Sequence, residues 1–170
     1  MRIALPVALS GLLTTQALAA DLRVSVEIPK LSVAEYHRPY VAMWIERQQQ
    51  AVAANLVVWY DGKQRNNEGT KWLKDLRQWW RRTGRELTMP VDGLTGATRA
   101  PGEHQLTWSG DRAPLSGLPA GDYELIVEAA REVGGRELVR LPFQWPPKAD
   151  ASAKAAGERE LGTVTLTLKP

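Results

Sequence analysis

Seven residues near the middle of the chain concentrate its chemistry: Asp92-Gly93-Leu94-Thr95-Gly96-Ala97-Thr98. They bring together one carboxylate, two hydroxyls and a pair of small residues. Taken alone, the Asp-Gly and Thr-Gly steps suit a turn between two elements. Elsewhere reactive groups are sparse. His37 and His104 are the only histidines, and there is no cysteine. No Gly-x-Ser-x-Gly elbow, His-Glu-x-x-His pair or Gly-rich phosphate loop occurs. A metal site on either histidine would need carboxylates from distant segments, so both are read as surface or hydrogen-bonded side chains. The lack of cysteine removes thiolate metal sites, iron–sulfur clusters, c-type haem attachment and thiol catalysis. The chain is expected not to be an enzyme in its own right.

The pattern Asp-x-x-Thr-Gly-Ala-Thr, met here from Asp92 to Thr98, resembles the recognition motif of periplasmic flavin transferases. The FMN-carrying subunits of sodium-pumping quinone reductases and related electron-transfer complexes are similar at this point. The resemblance implies that Thr98 accepts FMN through a phosphoester, with FAD as donor and magnesium as the transferase's cofactor. It implies recognition roles for Asp92, Thr95, Gly96 and Ala97. The residue types suit that chemistry. A phosphoryl acceptor must be a hydroxyl, and the Gly96-Ala97 pair lets another protein's active site come close to the backbone. The partners implied are a periplasmic flavin transferase and a membrane redox protein.

Strands must carry this segment. Residues 22–28 alternate apolar and polar, as a strand with one buried face does. Residues 40–45 and 55–60 are apolar on both faces, as central strands are, and Asp61-Gly62 follows as a turn. Residues 123–128 and 138–143 flank Gly134-Gly135 as a hairpin, and 163–168 alternate again. One segment departs from period two. Trp72, Leu73, Leu76, Trp79 and Trp80 recur at helical spacing, with Thr70 placed to cap the start and Gly84 to end it. The spacing predicts an amphipathic helix over 70–83, packed on the sheet through its tryptophans and basic on its other face. Trp79 and Trp80 are candidate flavin contacts. Residues 146–157, rich in Ala, Lys and Pro, read as a mobile loop. The fold class expected is mainly β, an antiparallel sandwich with one amphipathic helix.

Trp108-Ser109-Gly110-Asp111 followed by Gly117-Leu118-Pro119-Ala120-Gly121-Asp122-Tyr123 is similar to a pattern in immunoglobulin-like modules such as that of the flagellar hook-capping protein. That likeness implies an immunoglobulin-like sandwich. Most of the chain also resembles a predicted periplasmic family of unknown function found beside flavin transferases. Trp79-Trp80-Arg81, the stretch from Thr95 to Gly102, and Glu128-Ala129-Ala130-Arg131-Glu132 carry that resemblance.

The chain's start fits the same compartment. Met1-Arg2 is a charged n-region, residues 3–13 form an apolar run, and Ala17-Leu18-Ala19 is a small-x-small cleavage site. Residues 1–20 are read as a signal peptide too short to span a bilayer, and 21–170 as one domain. The formal charge of +3 is too mild to argue for nucleic acid. Two readings of function stay open. One is a periplasmic electron-transfer carrier bearing covalent FMN at Thr98. The other is a cofactor-free binding or structural module that engages an envelope partner.

Overall fold

A computed structural model describes residues 19–47 and 51–170. Nine strands make two sheets. β1 (Asp21–Ile28), β5 (Gly102–Ser109), β8 (Ala151–Ala156) and β9 (Thr163–Lys169) form the first, in the order β5-β1-β9-β8. β2 (Tyr40–Arg47), β3 (Ala51–Trp59), β4 (Thr95–Gly96), β6 (Gly121–Ala130) and β7 (Arg136–Trp145) form the second, in the order β4-β3-β2-β6-β7. All pairings are antiparallel except β3 with β4. The antiparallel β-sandwich expected from the alternating segments is therefore present.

The alternation dictates the interior. Leu22, Val24, Val26 and Ile28 point inward from β1, and Val164, Leu166 and Leu168 from β9. They meet Val41, Met43 and Ile45 of β2 and Leu125 and Val127 of β6 in one core. The runs that are apolar on both faces have a different cause. A second cluster covers the outer face of the second sheet, where Ala42, Trp44, Val58 and Ile126 pack against Leu73, Leu76, Trp79 and Leu94. The molecule thus has three layers: a sheet, a sheet, and a mainly helical covering drawn from the long β3–β5 connection.

That covering differs from the single helix predicted over 70–83. Residues Arg65–Asp75 form a 3₁₀ helix with Asn66 and Asn67 left-handed inside it, α1 spans only Arg77–Arg82, and a 3₁₀ turn covers Gly84–Glu86. Thr70 does not cap; its hydroxyl donates to the carbonyl of Asn67 at 2.7 Å. The physical reason is a break at Leu76, whose ψ of 69° leaves helical geometry and separates the 3₁₀ segment from α1, so Leu73, Leu76 and Trp79 reach the second cluster from three different local conformations. Trp72 stays 43% exposed, against the expectation that it packs on the sheet. Gly84 follows α1, where a Cβ would collide with the ring of Trp79.

The mobile loop expected over 146–157 is also corrected. β8 pairs with β9 from Ala151↔Leu168 to Ala156↔Thr163. Alanine is a weak strand former, but pairing and burial override propensity. Ala153 and Ala155 pack on the core while Ser152 and Lys154 face out. The turn beyond β8 is held by Glu137, whose carboxylate accepts the backbone N–H groups of Glu158, Arg159, Glu160 and Leu161. Partial burial pushes this carboxyl up, but the four donors outweigh it and hold it below the ordinary glutamate value of 4.5. A depressed carboxyl stabilises the fold above its unfolded pKa and loses that contribution as pH falls through the folded one. Glu137→Gln is therefore expected to cost about 1–2 kcal/mol at pH 7. The gap from wild type should close below about pH 4. Urea melts of both proteins at pH 7 and pH 3 measure this, and an equal gap at both values would contradict it.

Candidate functional site

Two carboxylates that the alternation would turn to solvent instead lie buried between the second sheet and its covering. Glu128 is 0% exposed. It accepts the N–H groups of Gln78 at 3.0 Å and Trp79 at 2.7 Å, and Nε of Arg136 at 2.6 Å. These are first-turn amides of α1, which have no partner within the helix, so Glu128 does the work of a cap. Glu46 is likewise buried and accepts the indole N–H of Trp44 at 2.8 Å, with Arg82 and Arg140 at 3.5 and 3.4 Å. Trp79 completes the seat: its indole N–H donates to Oδ1 of Asn55 at 3.1 Å.

From this seat the chain runs through residues 87–101 to β5, and the seven-residue motif lies here. Gly93 adopts φ +73°, a left-handed turn that favours glycine. Leu94 inserts into the second cluster. Thr95 donates both its N–H and its hydroxyl to the carbonyl of Val91, each at 3.0 Å. β4 then docks parallel to β3, with N–H groups of Val58 and Tyr60 donating to the carbonyls of Leu94 and Gly96 at 2.8 and 2.9 Å. Gly96 lies over Trp59, where a Cβ would stand 3.1 Å from the ring. Arg99 holds its guanidinium 5.1 Å from the Trp59 ring centroid, a cation–π contact. His104 meets the same ring edge-on at 5.7 Å, and its Nε2 lies 2.8 Å from the carbonyl oxygen of Ala100. Asp92 and Ala97 are exposed and Thr98 is half-buried.

Ala97 and Thr98 border a cavity of about 440 Å³ that Tyr36, His37, Tyr40 and Trp72 also line. Lys63 and Arg38 face it with Asp61, Asp75 and Glu132, so its charge is mixed. Tyr40 forms a fixed wall. Its hydroxyl donates to the carbonyl of Gly69 at 3.0 Å and its ring meets Tyr60 edge-on at 6.2 Å. Burial pushes that phenol up to about 12, so it stays protonated. Tyr36 is also pushed up, chiefly by burial, and its hydroxyl is buried without a hydrogen-bond partner among the described residues. His37 lies between Glu35 at 2.9 Å and Glu132 at 3.5 Å. A second hollow of about 310 Å³ adjoins the first and is bordered by Thr95, Gly96 and Ala97, with Met89 and Asn67. Among the described residues no group of three or more His, Asp or Glu side chains is placed to hold a metal ion.

The structure brings Thr95, Gly96, Ala97 and Thr98 to these cavities, while Trp79 and Trp80 line neither. Trp79 is 0% exposed beneath α1, and Trp80 packs against the second cluster. Trp72 is the tryptophan that lines the same cavity as Thr98. Its exposure leaves roughly 2 kcal/mol of burial unrealised, taking about 200 Å² for the side chain at about 25 cal/mol per Å². Sequence reasoning passed over Tyr36, Tyr40 and Trp72 as site residues.

A family model for predicted periplasmic proteins, DUF2271, matches residues 21–163. The chain belongs to that family. The DUF2271 match runs from β1 to the first residue of β9 and so includes the motif, the cavity and the covering layer. Neither a curated protein nor a solved structure matches the chain. Among the described residues no helix is long and apolar enough to cross a membrane. The leader read over 1–20 lies, apart from Ala19 and Ala20, outside the described residues.

Proposed function

We propose that this DUF2271 protein is a periplasmic electron-transfer carrier with FMN held covalently at Thr98. One observation carries the reading: Thr98 ends an accessible flavin-transferase-type motif and stands on the rim of a cavity walled by Tyr36, Tyr40 and Trp72. The residues fit such a group. Aromatic walls suit a planar ring, and Lys63 and Arg38 suit a phosphodiester. Attachment is a phosphoryl transfer made by a separate magnesium-dependent transferase. The Thr98 oxygen bonds to the FMN-side phosphorus of FAD, the pyrophosphate bond breaks, AMP leaves, and the hydroxyl proton passes to a base on the transferase. Once in place, the flavin supplies the electron chemistry, while this chain supplies position, exclusion of water and a link to a membrane redox protein. In-gel flavin fluorescence and peptide mass mapping after co-expression with a periplasmic flavin transferase test the attachment.

A second reading has an observation of its own. Gly93, Thr95 and Gly96 each have a structural task in the turn and against Trp59, so the motif also makes sense as a support for a cofactor-free binding module. A folded chain that stays unlabelled while a known acceptor is labelled in parallel would favour that module.

Both readings place the protein outside the cytoplasm after removal of a leader. N-terminal sequencing of material from the periplasmic fraction is expected to begin at Ala20 or Asp21. Intact Met1 on protein recovered from the cytoplasm would overturn the export reading.

A further inference from the structure

We infer that Trp72 is the stacking wall for the isoalloxazine ring of a flavin tethered at Thr98. The inference rests on the attachment proposed above and assigns a residue that the motif does not contain. Among the described residues only three large hydrophobics are exposed, Val33, Trp72 and Val133, and Trp72 is the one aromatic among them. Its indole makes no ring contact and no side-chain hydrogen bond among the described residues, so the orientation of the ring is not spent on the fold. Its neighbours Leu73 and Leu76 anchor the segment in the second cluster, which holds Trp72 on a fixed backbone at the cavity rim. The other aromatic walls are already engaged. Tyr40 is committed to Gly69 and Tyr60, and the Tyr36 hydroxyl is buried.

The tether makes the geometry feasible. A phosphodiester and a five-carbon ribityl chain separate the Thr98 oxygen from the ring, so the ring can lie across a cavity that Thr98 only borders. An indole face offers a planar electron-rich surface at van der Waals distance, the offset-stacked arrangement that aromatic pairs prefer. Tryptophan in such contact quenches an excited flavin by donating an electron to it, and the back-transfer restores both ground states. Flavin emission therefore reports the contact directly, without any measurement of electron-transfer activity.

The experiment uses the full chain co-expressed with a periplasmic flavin transferase, with Thr98 labelling scored by peptide mass. Wild type is expected to show weak flavin emission with a short lifetime. Trp72→Ala, at a partly exposed position where circular dichroism can verify folding, should keep the label and brighten it several-fold. Trp72→Tyr should restore most of the quenching, and Trp80→Phe should leave emission as in wild type. If Thr98 is labelled and Trp72→Ala leaves yield and lifetime unchanged, the stacking role is overturned and the attachment stands. If Thr98 carries no label in any variant, the attachment falls and the stacking role with it.

Discussion

Thr98→Ala is expected to abolish covalent flavin completely, because no acceptor oxygen remains at the end of the motif. Flavin fluorescence in denaturing gels and the mass of the tryptic peptide should both fall to background. Thr98→Ser keeps an oxygen and should retain label at a reduced level. Thr95→Ala is the informative contrast. Its hydroxyl donates to Val91 inside the turn, so its loss loosens the presentation of the motif without removing the acceptor. Labelling should weaken and persist. Gly96→Val should also reduce labelling, since a side chain there would press on Trp59 and displace β4. Label on Thr95 in the wild type would keep the carrier function and move the attachment site. Unchanged labelling of Thr98→Ala would remove the proposed site altogether.

Glu128→Ala, in β6 beneath the covering layer, should produce a large loss of stability. The change strips the partner from two N–H groups at the start of α1, one of them on buried Trp79, and leaves Arg136 without its carboxylate. Removing one partner of a buried, hydrogen-bonded ion pair costs about 3–5 kcal/mol, and the loss is expected in that range. Domains of this size are stable by about 5–15 kcal/mol, which makes that loss a large fraction. Glu128→Gln keeps the shape and one acceptor oxygen and should cost about half as much, on the order of 2 kcal/mol. Urea denaturation gives both values. Near-UV circular dichroism should show loss of the Trp79 environment while the far-UV β signal survives, because the inter-sheet core does not depend on the covering. Flavin labelling and quenching should fall together, since Trp72 belongs to the layer that Glu128 seats. A loss under 1 kcal/mol would refute this account of α1.

The sandwich was legible because its signal is local. Leu22, Val24, Val26 and Ile28 declare a buried face within eight residues, and so do Val164, Leu166 and Leu168. Double-sided runs such as 40–45 announced central strands, yet pairing on both edges was only half of the reason; a third layer covers them. That layer was read as one amphipathic helix because Trp72, Leu73, Leu76, Trp79 and Trp80 recur at helical spacing, and the break at Leu76 leaves no mark in the pattern of residue types. β8 was missed for the opposite reason: alanines give almost no hydrophobic contrast, and only the ladder to β9 reveals a strand. Of the candidate site, the motif was readable as a run of residue types, whereas Tyr36, Tyr40 and Trp72 come from separate segments and meet only in the fold. Glu46 and Glu128 are buried because a second packed layer covers the outer face, and alternation cannot tell such a layer from solvent.

The pairing of β1 carries a kinetic consequence. Val24 sits between Leu106 on one side and Leu166 on the other, so the first strand finds its partners only in the second half of the chain and at its far end. Sheets closed by such distant contacts form slowly, because loop-closure entropy is lost before the contacts reward it. While the last strand is still missing, β1 has no β9 to pair with and the first sheet stays open. A polypeptide of this topology stays unfolded for longer than one built from sequential hairpins, and one edge of β1 stays open until residues 163–169 arrive.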